Sequence, residues 1–381
     1  MFSQEVEHVG IIRNVDGNLP NILNRISAHK KSIGALLPLG LSRNQRSSPS
    51  VSLRIHNVYC APILFSGLAS LVLSPKEIQM IDSHFLDTLR NLQRLHRGTP
   101  RAIVLFMAGS LPGQALLHIR QLTLFLMICH KPDNPLNSHA LYILTHPTFK
   151  SHSWFLKVLA IFKQYGLPHP LLYLKNPPKR SVFKSLVKKK VRAYWTLLLT
   201  SEIADLRSTK YFQPSQYSLH YPWFSWQSVT GNSYECAKSL VVAKMISGRY
   251  RTEYLCRYWT PSNREGHCLA TTCKGVVGDL EHILIVCPAY HAVRNRLKDM
   301  WLAKTVDFAS LNQLIKQILS SSPEIQVQFI LDPTFFDGVM MQIEIYGIEM
   351  VQHVLYLTRT YAYYIHRERL KILGCWPGDH H

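Results

Sequence analysis

The sequence predicts a mainly α-helical protein, made of multi-helix, bundle-like segments with a small cysteine- and histidine-bearing module near the C-terminus. Apolar residues recur at helical spacing in most segments, strand-like patterns are few, and three of the eight cysteines fall between Cys268 and Cys287. The 381 residues are 47% hydrophobic and 17% charged, which excludes a disordered or fibrous chain. This length suggests two or three domains.

The N-terminal part of the chain contains the clearest helix. After NRISAHKKSIGALL, a basic helix candidate, and the linker-like SRNQRSSPS, Ser74 and Glu77 form a capping box and Pro75 suits the first helical position. Apolar residues then follow at helical spacing: Ile78, Ile81, Phe85, Leu89 and Leu92.

Helices are predicted along most of the remaining chain, with LPHPLLYLKNPP as a proline-rich connector. They cover Pro112–His130, Ser153–Tyr165, Pro178–Glu202, Tyr234–Ser247, Pro288–Ala303, Phe308–Leu319 and about Val339–Leu373. Strands are predicted only at VSLRI and IQVQFIL.

The longest apolar stretch, Leu116 to Cys129, predicts a buried helix and not a membrane span, because His118 and Arg120 interrupt it. The N-terminus has neither the basic start nor the apolar run of a signal peptide. We therefore expect an intracellular protein, in the nucleus or cytoplasm, without a membrane partner and with reduced cysteines.

The charge of the chain is +20 and indicates a polyanionic partner. Residues 134–201 contain no Asp or Glu but eleven Lys or Arg. Eight of these basic residues lie close together: Lys175, Lys179, Arg180, Lys184, Lys188, Lys189, Lys190 and Arg192. Since Tyr194 and Trp195 follow this run, we favour nucleic-acid contact; a solvated helix face and an anionic membrane surface remain alternatives.

Four of these cations share one face of the predicted helix at a spacing of four residues: Arg180, Lys184, Lys188 and Arg192. Like charges at this spacing repel each other. We expect phosphate groups to compensate that repulsion, in a manner that does not depend on base sequence.

The cysteine cluster has the spacing C-x4-C-x8-H-x4-C, formed by Cys268, Cys273, His282 and Cys287. Three thiolates and one imidazole make a tetrahedral zinc shell, and four protein ligands close it, so a structural zinc ion is predicted. The alternative is a set of buried cysteines without metal. Cys256 and His267 are spare candidates for one of the four positions.

The distance along the chain between His282 and Cys287 raises a geometric problem, because residues five apart on an α-helix point about 140° apart. Pro288 provides a solution, since the residue before a proline is pushed out of helical geometry. We expect Asp279 to cap a helix that carries His282 and ends near Val286.

The module SGRYRTEYLCRYWTPSNREGHCLATTCKGVVGDLEHILIVCPAYHAVRNRL resembles the C-terminal cysteine/histidine region of non-LTR (LINE-type) retrotransposon reverse transcriptases. HVGIIRN resembles the short segment that closes the polymerase palm of these enzymes, ahead of the thumb. Four further segments resemble their post-polymerase region: APILFSGLASLVLSPKEIQMID, LPGQALLHIRQLTLF, NPLNSHALYILTH and SWFLKVLAIFKQYGLPHPL. The terminal FILDPTFFDGVMMQIEIYG and YIHRERLKILG fit the same region. This resemblance implies a palm-end and thumb remnant at 1–50, a helical connector with the basic helix at 51–250, the zinc module at 251–301 and a C-terminal helical region at 302–381.

In the family that the chain resembles, the carboxylates that hold the two metal ions for polymerisation include an adjacent Asp-Asp pair, and no such pair occurs in this sequence. We therefore expect a non-catalytic fragment that binds template RNA or target DNA. The larger polyprotein from which it derives would be an RNA-directed DNA polymerase. One alternative is a restriction-like nuclease that uses Asp332, Asp337 and Glu344. Another is a decayed remnant with a structural or protein-interaction role.

Overall fold

The computed structural model describes residues 5–8, 11–14, 17–39, 41, 48–146, 152–229, 232–256 and 265–374. Its regular structure is mainly helical, as the sequence predicts. In the described part of the chain the strands form one antiparallel hairpin, β1 (Glu5–His8) with β2 (Ile11–Asn14), which pairs Glu5 with Asn14.

The helices of the first half surround a core that is almost completely buried. They are α1 (Leu19–Leu36), α2 (Pro49–Ile55), α3 (Ala61–Leu64), α4 (Pro75–Leu92), α5 (Arg101–Ala108), α6 (Gly113–Cys129), α7 (Pro135–Thr145), α8 (Trp154–Gln164), α9 (Pro170–Lys175) and α10 (Arg180–Ala204). The predicted capping box of α4 is present: the Ser74 hydroxyl accepts from Glu77 N, and the Glu77 carboxylate accepts from Ser74 N at 2.7 Å.

The second half is built around one long helix. Its helices are α11 (Phe224–Gln227), α12 (Ser233–Ile246), α13 (Glu253–Cys256), α14 (His291–Lys304), α15 (Ala309–Leu319), α16 (Pro323–Leu331), α17 (Asp337–Met340), α18 (Gln342–Tyr346) and α19 (Ile348–Ile372). Helices α12, α14 and α16 all pack against α19.

Both strand predictions are wrong, because VSLRI lies in α2 and IQVQFIL lies in α16. Each helix has a proline in its first turn, which suits a helix start, and Ser48 caps α2 by accepting from Ser50 N. Residues 326–331 are all buried. A short run that is buried on every side has no period from which a helix and a strand can be distinguished.

The predicted helix from Val339 is also divided, since α17, α18 and α19 are separate. Gly347, at φ +80°, adopts a left-handed conformation immediately before α19, and this turn interrupts the helical path. The connector LPHPLLYLKNPP contains the short helix α9, which follows His169.

One contiguous set of buried apolar side chains extends from Ile22 to Ile365. Among its largest members are Trp226, Trp301 and Tyr361. This core crosses the expected segment boundaries at 50, 250 and 301, and the division into four segments stays a prediction.

Within the described residues, no single helix has both the length and the hydropathy to span a membrane. Helices α5 and α6 reach that length and hydropathy only when they are taken together, and the two are bent by 59° at their junction. His118, in α6, is buried and hydrogen-bonds to the Tyr165 hydroxyl at 2.8 Å.

Three histidines form a hydrogen-bonded chain between α1, the turn after α2, and α4. His29 Nδ1 lies 2.9 Å from His84 Nε2, and His29 Nε2 lies 3.0 Å from His56 Nε2. Burial, together with the neighbouring rings, lowers the pKa of His29 to about 3 and that of His56 to about 4; the pKa of His84 is lowered as well. The three rings are therefore neutral in the folded protein at neutral pH.

The three neutral, buried histidines lead us to expect that acid destabilises the fold. Below pH 6.5 the unfolded histidines take up protons that the folded ones do not accept until the pH approaches 4, so the free energy of unfolding falls as the pH falls through that window. Each such proton contributes a slope of about 1.4 kcal/mol per pH unit. The measurement is urea unfolding of metal-free protein between pH 7.5 and 4.5.

In the His29→Gln variant, the free energy of unfolding is expected to fall less steeply with falling pH than in wild type, because one of the three titrating rings is absent. His152→Gln is the control, because His152 is exposed. Identical slopes for wild type and His29→Gln would contradict the assignment.

Candidate metal centre

A tight loop positions the first two cysteines. The backbone pairs His267 with Val277 in an antiparallel bridge, and Cys268 N donates to Val276 O at 2.7 Å. Gly275, at φ +75°, makes the return turn in a conformation that favours glycine. Cys273 N donates to Ala270 O at 2.9 Å, which folds the second thiol back towards the first.

A wide helical turn positions the other two ligands. Asp279 accepts from His282 N at 2.8 Å, as predicted for a cap, and residues His282–Val286 form a π-helical turn. Cys287 N donates to His282 O at 2.7 Å, a bond that spans five residues. The turn ends at Val286 as predicted, but its width is what brings residues five apart to one side.

The four predicted ligand side chains lie together. Their ligand atoms are all within 4.8 Å of one another, with Cys268 Sγ 3.9 Å and Cys273 Sγ 3.4 Å from Cys287 Sγ. Tetrahedral coordination with metal–sulfur bonds of 2.3 Å would separate two thiolates by about 3.8 Å. A disulfide bond would need about 2.0 Å, and the cysteines are free.

The imidazole of this cluster has no hydrogen-bond partner among the described residues. Both ring nitrogens of His282 are buried and without a hydrogen bond in the described part of the chain. Buried polar atoms are normally paired, so the imidazole fits a metal ion as its partner. Burial also raises the pKa of Cys268, raises that of Cys287 to about 12 and lowers that of His282, so binding of an ion displaces thiol protons.

The spare candidates lie outside this group. His267 forms an ion-pair contact with Glu265 at 3.0 Å, and Cys256 is half-buried at the end of α13. Cys60, Cys129 and Cys236 are buried cysteines elsewhere in the fold. Cys375 lies outside the described residues.

The cluster is fixed to the long helix α19. The Tyr361 hydroxyl donates to Leu284 O at 2.9 Å, inside the wide turn. Glu253 pairs with Arg369 at 3.1 Å and packs against Gly278, where a Cβ would lie 2.6 Å from the Glu253 carboxylate. A side chain at position 278 would therefore displace the loop from this ion pair.

The basic helix α10 has a buried side and an exposed side. Its buried stripe is Phe183, Val187, Val191, Trp195, Leu199 and Ile203. Six of the eight predicted nucleic-acid-binding residues are exposed, whereas Lys184 and Arg192 are half-buried: the exposed ones are Lys175, Lys179, Arg180, Lys188, Lys189 and Lys190. None of the eight forms an ion pair with a carboxylate in the described structure.

Aromatic residues beside α10 differ in accessibility. Trp195 is buried and donates to the Tyr165 hydroxyl at 3.1 Å, whereas Tyr194 is exposed. Arg192 donates to His220 Nδ1 at 2.8 Å, which holds Tyr221 next to the basic helix with 62% of its surface exposed. Sequence reasoning missed Tyr221, because no local pattern connects residue 221 to α10.

The candidate nuclease carboxylates are in unlike surroundings. Asp332 is buried and accepts hydrogen bonds from Tyr217, Trp223 and Thr334, while Asp337 and Glu344 are exposed. Burial raises the pKa of Asp332 against the effect of these donors. Among the described residues, the cysteine–histidine group is the one set of three or more His, Cys, Asp or Glu side chains that is placed to hold a metal ion.

The fold and this centre define a mainly helical protein with a buried group of three cysteines and one histidine that can hold a metal ion. No family model, no curated protein and no solved structure matches the chain.

We expect the purified chain to contain one metal ion, and Cys273→Ser to lose it, because removal of a thiolate opens the shell. Elemental analysis by mass spectrometry after gel filtration measures the content. Cys256→Ser serves as the matched control and should retain the ion. A Cys273→Ser chain with full metal content would contradict this ligand set.

We expect Asp332→Ala to destabilise the fold by about 3 kcal/mol, because it leaves the Tyr217 hydroxyl and Trp223 indole N–H buried without an acceptor. Asp337→Ala, at an exposed position, should change stability by less than about 0.5 kcal/mol. Chemical denaturation of both variants measures the difference. Equal stabilities would show that the hydrogen bonds to Asp332 contribute nothing.

Proposed function

We propose that this chain is a non-catalytic nucleic-acid-binding protein, stabilised by a structural zinc ion and related to the C-terminal region of non-LTR retrotransposon reverse transcriptases. The observation that carries the proposal is the exposed row of cations on and before α10, without carboxylate partners in the described structure. Template RNA or target DNA is the partner that this resemblance implies.

The cation row supports binding to phosphates on electrostatic grounds. Lys188, Lys189 and Lys190 are consecutive and exposed, so they cover a wide arc of the helix surface. Like charges in such a row repel each other, and a phosphate backbone relieves that repulsion while it releases its counterions. A row of this kind contacts phosphates and carries no base sequence information.

Exposed aromatic rings next to the cations favour nucleic acid over other polyanions. Tyr194 on α10 and Tyr221 beside Arg192 present rings on which an unpaired base can stack. The alternation of basic and aromatic groups therefore supports single-stranded or looped segments of the partner.

Zinc is the metal that the ligand set supports. Thiolates are soft ligands, which favour zinc over magnesium, calcium or manganese. Three thiolates and one imidazole fill all four tetrahedral positions, so no position is left for a substrate or a reactive water. The ion would contribute folding energy to the loop and the wide turn that hold its ligands.

The test of nucleic-acid binding is a salt titration. Replacing Lys188, Lys189 and Lys190 with Gln should reduce the slope of log K against log salt by about 2–3 on duplex DNA, because each lost phosphate contact contributes about 0.9. Fluorescence anisotropy with a DNA duplex, an RNA duplex and an RNA hairpin measures the slope.

The matched control removes the same charge from another surface. Arg296, Lys304 and Lys316 are exposed helical cations, and their triple Gln variant should retain the wild-type slope. Equal slopes for wild type and the Lys188–Lys190 variant on all three probes would refute the proposed contact. Equal reductions in both triple variants would indicate attraction by overall charge and no binding face.

A further inference from the structure

The buried arginines of the second half differ in how their charges are balanced. Arg369 pairs with Glu253 at 3.1 Å, and Arg359 lies 4.0 Å from Glu235. Arg294 is just as buried, at 4% exposure, but has no carboxylate within ion-pair distance in the described structure. A buried charge without a counter-charge costs several kcal/mol, so this position requires an explanation.

The surroundings of Arg294 point towards the cysteine–histidine group. From α14 its Nη2 donates to Val286 O at 3.4 Å, and Val286 directly precedes the ligand Cys287. Its Nη1 is buried without an acceptor. Burial lowers the pKa of Arg294, and the groups that oppose this effect are the thiols of Cys287 and Cys273 and the phenols of Tyr361 and Tyr290.

We propose that Arg294 is the counter-cation of the metal–thiolate group. Three thiolates and a divalent ion with a neutral imidazole carry a net charge of −1, which one guanidinium neutralises. The Glu253 carboxylate next to the cluster is already paired with Arg369, so among the described residues Arg294 is the buried cation that remains for the thiolates. This inference rests on the metal site proposed above.

The proposal predicts opposite effects in the two forms of the protein. In the metal-free form the charge of Arg294 is buried without a carboxylate partner among the described residues, so its removal should leave stability unchanged or improve it. In the metal-loaded form the same removal leaves the net negative group without its cation. A residue with only a packing role would affect both forms alike.

The experiment compares full-length wild type, Arg294→Met and Arg294→Lys. Competition with a chromophoric chelator should show zinc affinity about 10–100-fold weaker for Arg294→Met. Its melting temperature should fall in the zinc form and not in the metal-free form. With cobalt in place of zinc, the thiolate-to-metal absorption band should move to longer wavelength, and Arg294→Lys should lie between wild type and Arg294→Met.

The control variant is Arg296→Gln, which removes an exposed charge from the same helix and should leave affinity and spectrum unchanged. Wild-type affinity in Arg294→Met, or an equal loss of stability in both forms, overturns the proposal. So does a metal-free Arg294→Met chain that unfolds where metal-free wild type stays folded. If wild type itself binds no ion, the metal site fails, a result distinct from failure of Arg294 alone.

Discussion

The burial of α19 is the constraint on which the second half of the molecule depends. Trp301 of α14 donates from its indole to Leu357 O, and Tyr361 reaches the wide turn that carries His282. Arg369 near the end of α19 holds Glu253. One helix thus fixes the loop, the turn and the supporting helix of the cysteine–histidine group, and polar contacts inside an apolar core add to its packing. Such contacts are directional and fix its position more tightly than apolar packing alone.

Charged side chains in the interior of this protein differ from those on its surface in whether they have ion-pair partners. In the interior, Lys238 contacts Glu235 at 2.8 Å and Arg369 contacts Glu253, so these two desolvated cations meet carboxylates, whereas Arg294 does not among the described residues. On α10 the lysines face solvent without such partners in the described structure. The scarcity of acidic residues in residues 134–201 therefore has a structural outcome, a charged surface that nothing in its own segment neutralises.

Sequence reasoning worked where the pattern is local. The capping box at Ser74 and the four ligands at Cys268, Cys273, His282 and Cys287 were predictable, because spacing and residue type define both. The wide turn at His282–Val286 was not predictable, since its hydrogen bond from Cys287 N to His282 O depends on the position that the rest of the fold gives Cys287. The surroundings of Asp332 and Arg294 were hidden for the same reason: their partners are remote in the chain or lie in another element. Residues 326–331 show why the secondary structure was mispredicted there: they are buried on every side, so their sequence has no period that distinguishes a helix from a strand.

The cysteine–histidine loop has a consequence for the order of assembly. Its ligands come from a short stretch of chain, Cys268 to Cys287, so the entropy lost on closing it is small. Helix α19, which covers it, begins only at Ile348. During synthesis, the ligands leave the ribosome well before their cover. A metal ion could therefore enter the site while it is still open to solvent, before α19 covers it.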